Sequence, residues 1–308
     1  MSIHYHSIVS DLMDDLHKYL AYLKNTYNYQ ITLHQIEQIS GQSWLQLLPY
    51  NYHQCAVCCE VKSSSSCWRH CIERQFKVRK KAEIAPYIGT CFAGVTEAVF
   101  PIQDIYMKCV GFLCVSGYTK DRKMSLERAS AAAIKYGLSQ NKLRIAVGQL
   151  NDQLPNIQEL EAQIAPVQTI LRLLFYFNSI LEEETREYGS VQEKLYIQIL
   201  KYVNGAFRDP ALSLRDICKH FNISYSYASR LFTEFNKLSF SRYVRHIRIE
   251  AAKKYLEHTL LPITFTSSEC GFSDSNYFSS TFKKETGMTP SEYRENAHQS
   301  NSTNPSES

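Results

Sequence analysis

Six of the ten cysteines in this 308-residue sequence lie close together in its N-terminal half, where they could bind a metal or react. They are Cys55, Cys58, Cys59, Cys67, Cys71 and Cys91. The spacings Cys55-x2-Cys58 and Cys67-x3-Cys71 are compatible with tetrahedral thiolate ligation of zinc or of an iron–sulfur cluster. The irregular spacing of the whole set favours reduced thiols that line a pocket or pack as small hydrophobic side chains. The sequence therefore predicts no metal and no cofactor, with zinc or an iron–sulfur cluster at Cys55, Cys58, Cys67 and Cys71 as the alternative.

Catalytic patterns do not accompany these thiols. The sequence contains no phosphate-binding loop, nucleophile elbow or paired-carboxylate pattern. A methyl-accepting cysteine of the alkyl-transfer kind would follow a proline and precede a histidine, and none of the ten cysteines does. The sequence predicts that the protein is not an enzyme.

Export and membrane insertion are not expected. Residues Met1–Leu20 mix His, Asp and Lys with apolar residues and lack the basic-then-apolar order of an export signal. The most apolar run, Ile170–Phe177, is interrupted by Arg172 and is shorter than the ~20 residues of a membrane span. We expect a cytoplasmic protein with reduced thiols and no membrane partner.

Positive charge is concentrated in the C-terminal third. The net charge is +4, and residues 193–298 hold 15 Lys and Arg against 11 Asp and Glu, which accounts for the whole surplus. Within that region, Arg230–Lys254 has seven basic residues against two acidic ones. Such a cluster is either a solvated helix face or a surface that binds phosphates.

Two short helices joined by a tight turn are predicted from Ser213 onwards. Ser213 with Asp216 is typical of a helix start, and that helix should end near Asn222. Ser224 can cap a second helix. The apolar stripe of this second helix consists of Ala228, Leu231, Phe232 and Phe235. The side chains opposite or beside that stripe include Ser226, Ser229 and Arg230. Because Arg can bind guanine O6 and N7 in the major groove, Arg230 is predicted to be the main base-reading residue.

A long amphipathic helix is predicted to follow, over Ser241–Glu257. Its inward side chains are Tyr243, Val244, Ile247, Ala251, Tyr255 and Leu256. The outward Arg242, Arg245 and Lys253 are placed for contacts with phosphates, which position a protein on DNA without reading its sequence. The helix should act as a rigid connector.

A second unit of the same kind is predicted at Cys270–Glu292. Gly271 supplies a turn and Ser273 a cap for a helix. The outward residues of that helix are Asn276, Ser279, Ser280 and Lys283. Gly287 should end it, and Thr289 with Glu292 forms a capping box for the next helix.

The run GFSDSNYFSSTFKKETGMTPSEYR, from Gly271 to Arg294, resembles the signature of the AraC/XylS family of transcription regulators. The first unit, Ser213–Phe232, and the segment RIEAAKK that starts at Arg248 are similar to the family too. The resemblance implies an all-α domain of two helix-turn-helix subdomains that enter successive major-groove segments of double-stranded DNA. It also implies an activator that works with RNA polymerase. Carried over position by position, the base-reading residues are Ser226, Ser229 and Arg230 in the first recognition helix and Ser275, Asn276, Ser279 and Ser280 in the second. Lys283 is expected to contact the DNA backbone, as are the outward Arg242, Arg245 and Lys253 of the long connector helix.

Two departures from the family concern the second unit. Ser280 stands where family members often carry Arg, and Phe265-Thr266-Ser267 replaces the usual Ile-Ala before the second turn. Because a short Ser discriminates bases more weakly than a bidentate Arg, the first unit is predicted to dominate specificity.

The N-terminal half has the mixed pattern of an α/β domain. A helix is predicted over Ile8–Tyr22, and strands are predicted at Tyr29–Leu33, Val99–Ile102 and Val110–Val115. The stretch PYIGTCFAGVTEAVFPI from Pro86, followed by GFLCVSG from Gly111, resembles the PocR sensory domain.

The PocR resemblance implies a PAS-like fold that binds a small organic effector. On that resemblance, we expect Cys55, Cys67, Cys91 and Phe92 to line the effector site. The crowding of thiols departs from the PocR pattern, so a metal- or redox-responsive regulator is the alternative function. The remaining cysteines, predicted to be core or surface fillers, are Cys109, Cys114, Cys218 and Cys270.

The two halves are predicted to be joined by a long helix over 157–187. Its apolar face could pack on the sensor core or form the seam of a homodimer. The expected domains are a sensor at 1–155, a helical linker at 156–192, the DNA-binding domain at 193–298 and a disordered tail at 299–308.

Overall fold

Helices alternate with short strands in the N-terminal part of a computed structural model of the chain, which describes residues 2–34 and 43–302. The elements are α1 (Ser2–Tyr27), β1 (Gln30–His34), a 3-10 helix (Ser43–Asn51), α2 (Ala56–Val61), α3 (Ser65–Ala82), β2 (Tyr87–Thr90), β3 (Thr96–Gln103), β4 (Cys109–Tyr118), α4 (Arg122–Tyr136), α5 (Gln140–Gly148) and α6 (Ile157–Tyr188). The helix and the three strands expected from the sequence are all present; β1 is shifted by one residue at the same length, and the other three elements are longer than their apolar patterns.

The four strands form one sheet in the order β1-β4-β3-β2, and each neighbouring pair is antiparallel. Central strand β4 is buried along almost its whole length. A strand covered on both faces needs apolar residues on both, which explains why Val110–Val115 is a continuous apolar run rather than an alternating one. This half thus consists of helices and one small antiparallel sheet, and its PAS-like topology stays a prediction.

Helix α6 packs its main apolar stripe inside the N-terminal part of the chain. The fully buried residues of this stripe are Leu160, Ile164, Val167, Leu171 and Leu174. Polar contacts hold the helix to its neighbours: Gln168 Nε2 donates to Pro101 O at 2.7 Å, and Tyr19 Oη donates to Gln163 O at 3.0 Å. Of the two roles that the sequence left open for this stripe, the structure therefore shows packing within the chain. A dimer seam would have to use other side chains.

Over Ile157–Leu181, α6 is also long and apolar enough, by length and composition, to cross a membrane. The run Ile170–Phe177 is by itself too short for a membrane span, and the longer apolar segment appears only when all turns of Ile157–Leu181 are taken together. A single helix of this kind argues only weakly for a span, since core helices of other proteins pass the same criterion.

The C-terminal part is entirely helical within the described residues. Its elements are α7 (Val191–Ala206), α8 (Leu214–Phe221), α9 (Tyr225–Asn236), α10 (Phe240–His258), α11 (Ile263–Glu269), α12 (Ser275–Thr286) and α13 (Pro290–Ser302). Helix α13 continues through 299–302, the start of the segment expected to be disordered, and residues 303–308 lie outside the described residues.

Two compact units result, one from the described residues within Met1–Ile39 and Tyr50–Ile180, the other from those within Ser40–Pro49 and Leu181–Ser308. The division lies within α6 rather than in an extended segment, because the N-terminal turns of α6 pack on the sheet.

The long helix α10 organises the C-terminal one of these two compact units. Its inward residues expected from the sequence are all buried, and Phe240, Ile249 and Ala252 are buried with them. From the same helix, Arg248 donates from Nε to Phe207 O at 2.9 Å and from Nη2 to Asp209 O at 2.7 Å. Gly271 lies against this contact with φ +78°, and a Cβ there would come within 2.4 Å of Phe207 O. The glycine turn is thus required both by its backbone conformation and by the close approach of the chain.

Candidate nucleic-acid interface

The first helix-turn-helix is built by local capping. Ser213 donates from its backbone N and its Oγ to Asp216 Oδ2, at 2.9 and 2.6 Å, at the start of α8. Asn222 ends α8 in the left-handed conformation with φ 51°. Ser224 Oγ accepts a hydrogen bond from Tyr227 N at 3.2 Å and begins α9. Each of these ends lies where the sequence predicts it, because the partners are only three residues apart.

The apolar stripe of α9 fixes which residues this helix exposes. Ala228, Leu231 and Phe232 are fully buried. The opposite side therefore presents Ser226 and Arg230 to solvent, with Ser229 half-buried between the two faces. Phe235 was expected to be inward but is 36% exposed, because it stacks on Tyr196 of α7 with ring centroids 4.8 Å apart instead of entering the core.

Arg230 is available for a ligand. Its guanidinium lies over the Tyr227 ring, 5.4 Å from the centroid, and it forms no ion pair with the part of the chain that the structure describes. An exposed guanidinium that rests on an aromatic ring keeps its hydrogen-bond donors free and loses less freedom on binding.

The cap of the second recognition helix, α12, lies one residue later than predicted. Asp274 Oδ1, not Ser273, accepts from Tyr277 N at 2.6 Å. Both residue types are good caps, and the residues predicted to face inward, Phe278, Thr281 and Phe282, are all buried. The residues predicted to face outward on α12, Asn276, Ser280 and Lys283, are exposed, and Ser275 and Ser279 are half-buried.

Two serines of α12 use their hydroxyl protons within the helix. Ser279 Oγ donates to Ser275 O at 2.8 Å, and Ser280 Oγ donates to Tyr277 O at 3.0 Å. These hydroxyls retain acceptor capacity, but to donate to a base they must first break an internal bond. Ser279 and Ser280 are therefore poorer donors to a base than the exposed Arg230 of α9.

The departure from the family ahead of the second turn lies in the core. Thr266 and Ser267 are 0% and 1% exposed in α11. Their Oγ1 and Oγ atoms have no hydrogen-bond partner within the described residues. Two hydroxyls thus occupy positions that suit apolar side chains, which costs stability because a buried hydroxyl without a partner loses its hydrogen bonds to water.

The predicted phosphate contacts differ in availability. Arg242 and Lys283 are exposed. Arg245 lies 3.6 Å from Glu285 Oε1 on α12, and Lys253 Nζ lies 2.7 Å from Glu250 Oε1 on its own helix. Because a carboxylate already neutralises each of these two cations, their gain from a phosphate is smaller than that of Arg242.

An open cleft of about 520 Å³ lies beside the start of α10, between residues of the two helix-turn-helix units. Its charged lining is supplied by Arg215, Arg245 and Arg248, and its aromatic lining includes Tyr225 and Tyr277. Arg215 was not singled out from the sequence, because only the helical phase of α8 and the packing of α10 bring it to this cleft.

The residues expected to line an effector site do come together. Cys55, Cys58 and Cys67 belong to one buried hydrophobic cluster, and Cys91 and Phe92 pack against it. Burial raises the pKa of the Cys67 and Cys91 thiols to about 12, so both are protonated at neutral pH.

The alternative metal site at Cys55, Cys58, Cys67 and Cys71 is not supported. Within the described residues, the group of His, Cys, Asp or Glu whose ligand atoms all lie within 4.8 Å of one another is His34, His53 and Cys114, and the four cysteines form no such group. They lie on or beside the adjacent helices α2 and α3, and burial raises the pKa of Cys71 to about 11. The ligand atoms of the four cysteines are therefore not gathered as closely as those of the group that contains Cys114.

Comparison with known proteins identifies the C-terminal helices. Residues 217–296 match the family model of a helix-turn-helix domain. The chain is 32% identical over 149 residues to the uncharacterised HTH-type transcriptional regulator YijO of Escherichia coli, with 47% of this chain and 52% of that protein covered. It is 35% identical over 99 residues to the HTH-type transcriptional activator RhaR of Cronobacter sakazakii, with 32% of this chain and 35% of that protein covered.

Among solved structures, the chain is similar to the C-terminal domain of AraT, a response regulator from Geobacillus stearothermophilus. The identity is 30%, the match covers 35% of this chain and 88% of that one, and the TM-score is 0.34. This chain thus spans about half or less of the length of the two curated relatives described above. The C-terminal part of the chain is a helical helix-turn-helix domain of the AraC type, like that of the transcription regulators to which it is similar.

Proposed function

We propose that this chain is a sequence-specific DNA-binding transcription regulator of the AraC/XylS type, which acts in the cytoplasm and responds to a small organic metabolite. The observation that carries the proposal is the exposed face of α9, where Arg230 stands free of ion pairs opposite a fully buried apolar stripe. A recognition helix needs this combination, since it must pack on its domain with one side and meet base edges with the other.

In the proposed complex, the two recognition helices enter successive major-groove segments of the duplex. The base-reading residues are Ser226, Ser229 and Arg230 on α9 and Ser275, Asn276, Ser279 and Ser280 on α12. Arg230 contributes the strongest discrimination, because a bidentate Arg–guanine contact is worth about 1 to 3 kcal/mol against the wrong base. On α12, Asn276 is the exposed side chain that can pair bidentately, with adenine.

Phosphate contacts position the domain on the duplex. Arg242 and Lys283 are exposed and supply them directly. Arg245 and Lys253 contribute after exchange of their carboxylate partners for phosphate oxygens. The three arginines of the cleft beside α10 add to the positive potential between the two helix-turn-helix subdomains.

Activation, rather than repression, is the proposed direction. RhaR of Cronobacter sakazakii, which is similar to the C-terminal part of this chain, is named an activator. An activator of this kind works with RNA polymerase at the promoter. A homodimer would suit paired half-sites on the DNA.

The N-terminal unit is proposed to hold the effector site. The resemblance to PocR domains and the grouping of Cys55, Cys67, Cys91 and Phe92 around one buried cluster support this location. The effector would change how α6 packs and so shift the population of conformations that bind DNA. Coupling of this kind is typically worth about 1 to 3 kcal/mol.

The experiment that tests DNA recognition is selection of bound sequences from a random duplex library by the full chain, followed by affinity measurement at fixed salt. We expect one enriched motif, with a guanine whose replacement weakens the wild type but not Arg230→Ala. The matched control is Arg144→Ala, which removes an exposed arginine from α5 in the other unit. No enriched motif, or equal loss in both variants, would contradict the proposal.

The effector is tested separately by a thermal-shift screen of small diols and related metabolites with the full chain. A compound that raises the melting temperature should also change the affinity for the selected DNA site. Binding of such a compound with no effect on DNA affinity would contradict the coupling.

A further inference from the structure

A buried group of three potential metal ligands lies in the N-terminal unit, away from every residue assigned to DNA. His34, His53 and Cys114 each offer one ligand atom, and these atoms lie within 4.8 Å of one another. Sequence reasoning had treated Cys114 as a core residue and had singled out neither histidine. None of the six clustered cysteines of the sequence pattern belongs to this group.

The sheet places two of the three side chains on one face. His34 is the last residue of β1 and pairs with Phe112 of β4, and their rings stack with centroids 4.6 Å apart. Cys114 follows Phe112 by two residues on β4, so it faces the same side of the sheet. His53 comes from the segment between the 3-10 helix and α2, which is held by a hydrogen bond from Lys62 Nζ to His53 O at 2.7 Å.

Both histidines have a ring nitrogen buried inside the protein. Nε2 of His34 is buried without a hydrogen-bond partner among the described residues, and the His34 residue as a whole is only 4% exposed; Nε2 of His53 is buried too and faces Glu97. Buried polar atoms are nearly always paired, and an exception calls for an explanation such as a bound ion.

A carboxylate completes the surroundings. Glu97 is 1% exposed; its Oε1 accepts from Arg74 Nη2 at 2.6 Å, and its Oε2 lies 3.3 Å from His53 Nε2. Arg74 thus orients one oxygen of the carboxylate and leaves the other directed towards His53.

The charged groups around the site offset one another, so they leave the charge of a bound dication itself uncompensated. Arg74 and Lys62 bring positive charge near the site, which opposes a metal ion. Glu97 already offsets one of these charges, and Cys114 adds a second negative charge when the metal displaces its thiol proton to solvent and a metal–sulfur bond replaces the S–H bond.

We propose that His34, His53 and Cys114 bind one divalent transition metal ion of borderline softness, with Zn²⁺ as the best fit and Glu97 beside the fourth position. Two imidazole nitrogens and one thiolate are a donor set that zinc prefers over magnesium or calcium. With metal–ligand bonds of about 2.0 to 2.3 Å, tetrahedral ligand atoms are roughly 3.5 Å apart, so these atoms need to approach by about 1 Å.

The proposal is tested by titrating the metal-free full chain with Co²⁺ chloride and recording the absorption spectrum. Thiolate ligation produces a sulfur-to-cobalt charge-transfer band, and tetrahedral geometry produces intense visible d–d bands. We expect both to saturate at one equivalent and to be abolished by Zn²⁺. Absence of the charge-transfer band would overturn the proposal.

Four variants locate the site. Cys114→Ser should abolish the charge-transfer band, and His53→Gln, in a segment outside the sheet, should weaken cobalt binding at least tenfold without loss of the fold. Cys109→Ser is the matched control, since it removes another thiol from the same strand. If Cys114→Ser retains the band, or if Cys58→Ser alone removes it, the ligands are not those proposed. Because none of these residues belongs to the DNA-binding unit, either outcome leaves the proposed DNA recognition independently testable.

Discussion

The Arg230 guanidinium lies 5.4 Å from the centroid of the Tyr227 ring, three residues earlier on the same exposed side of α9. The ring restricts the arginine without using its hydrogen-bond donors. The pair therefore acts as a partly ordered probe at the N-terminal half of the recognition helix, where base edges would be reached.

Replacing each member of this pair should distinguish base recognition by Arg230 from the ordering of its side chain by Tyr227. We expect Arg230→Ala to cost about 1 to 3 kcal/mol of binding and to relax the preference at one base pair. Tyr227→Leu should cost about 0.5 to 1 kcal/mol and leave the base preference intact, because it removes only the cation–π contact. Fluorescence anisotropy with matched and single-substituted duplexes at one salt concentration measures both; a changed base preference in Tyr227→Leu would argue against this division of roles.

The exposed and the paired cations of α10 should differ in their salt dependence. Arg242→Ala is expected to reduce the slope of log affinity against log salt by about 1, whatever the DNA sequence. Lys253→Ala should have a smaller effect, since Lys253 already pairs with Glu250 at 2.7 Å. Affinity measured across a salt series checks this order, and a larger slope change for Lys253→Ala would reverse our assignment.

Two glycines with the same backbone conformation should respond differently to alanine. Gly287 has φ +84° with open space around it, so Gly287→Ala should cost about 1 to 2 kcal/mol from the left-handed conformation alone. Gly271→Ala should cost more, because its Cβ would also lie 2.4 Å from Phe207 O and 2.8 Å from Arg248 Nε. Urea unfolding of the full chain, followed by far-ultraviolet circular dichroism, compares the two; equal losses would show that the close approach is not sterically tight.

The unpartnered hydroxyl of Thr266 should be dispensable. Thr266→Val keeps the shape and removes the buried hydroxyl, so we expect an increase in stability of up to about 1 to 3 kcal/mol. The matched control is Thr259→Val, because Thr259 is equally buried but donates to Tyr255 O at 2.6 Å. Thermal melting distinguishes them: a stabilised Thr266→Val with a destabilised Thr259→Val is expected, and destabilisation of both would contradict the assignment.

The start of α8 should weaken in acid. Hydrogen bonds from Ser213 lower the pKa of Asp216 below its ordinary value of 3.8. A group whose pKa is lower in the folded state stabilises the fold above its unfolded pKa, and this contribution is lost as the pH falls through the folded pKa, here below about pH 4. Asp216→Asn should reduce the loss of stability between pH 5 and pH 3, as measured by urea midpoints across that range; an unchanged pH dependence would show that the capping box does not contribute.

Local signals predicted much of the C-terminal domain. The capping pairs Ser213 with Asp216 and Thr289 with Glu292, and the left-handed stops at Asn222 and Gly287, involve residues within a few positions of one another. Their energies hardly depend on the rest of the chain, so the sequence alone determines them. The inward face of α10 was predicted for the same reason, since helical periodicity is a property of the sequence.

Choices between near-equal local options needed the tertiary structure. Ser273 and Asp274 can both cap a helix, and the structure shows that Asp274 does so. Phe235 fits the apolar stripe of α9 by periodicity, yet a partner on α7 draws it to the edge of the core. Periodicity identifies the face of a helix but not the neighbour that covers it.

By itself, the sequence determined the class of each half, the helices of the AraC-type domain and the residues that such helices present outward. Only the tertiary structure decided that α6 packs its stripe on its own sheet, that Glu285 faces Arg245, and that His34 and His53 meet Cys114. These contacts join residues far apart in the chain, and their partners are chosen by the packing of whole elements, which no short stretch of sequence encodes.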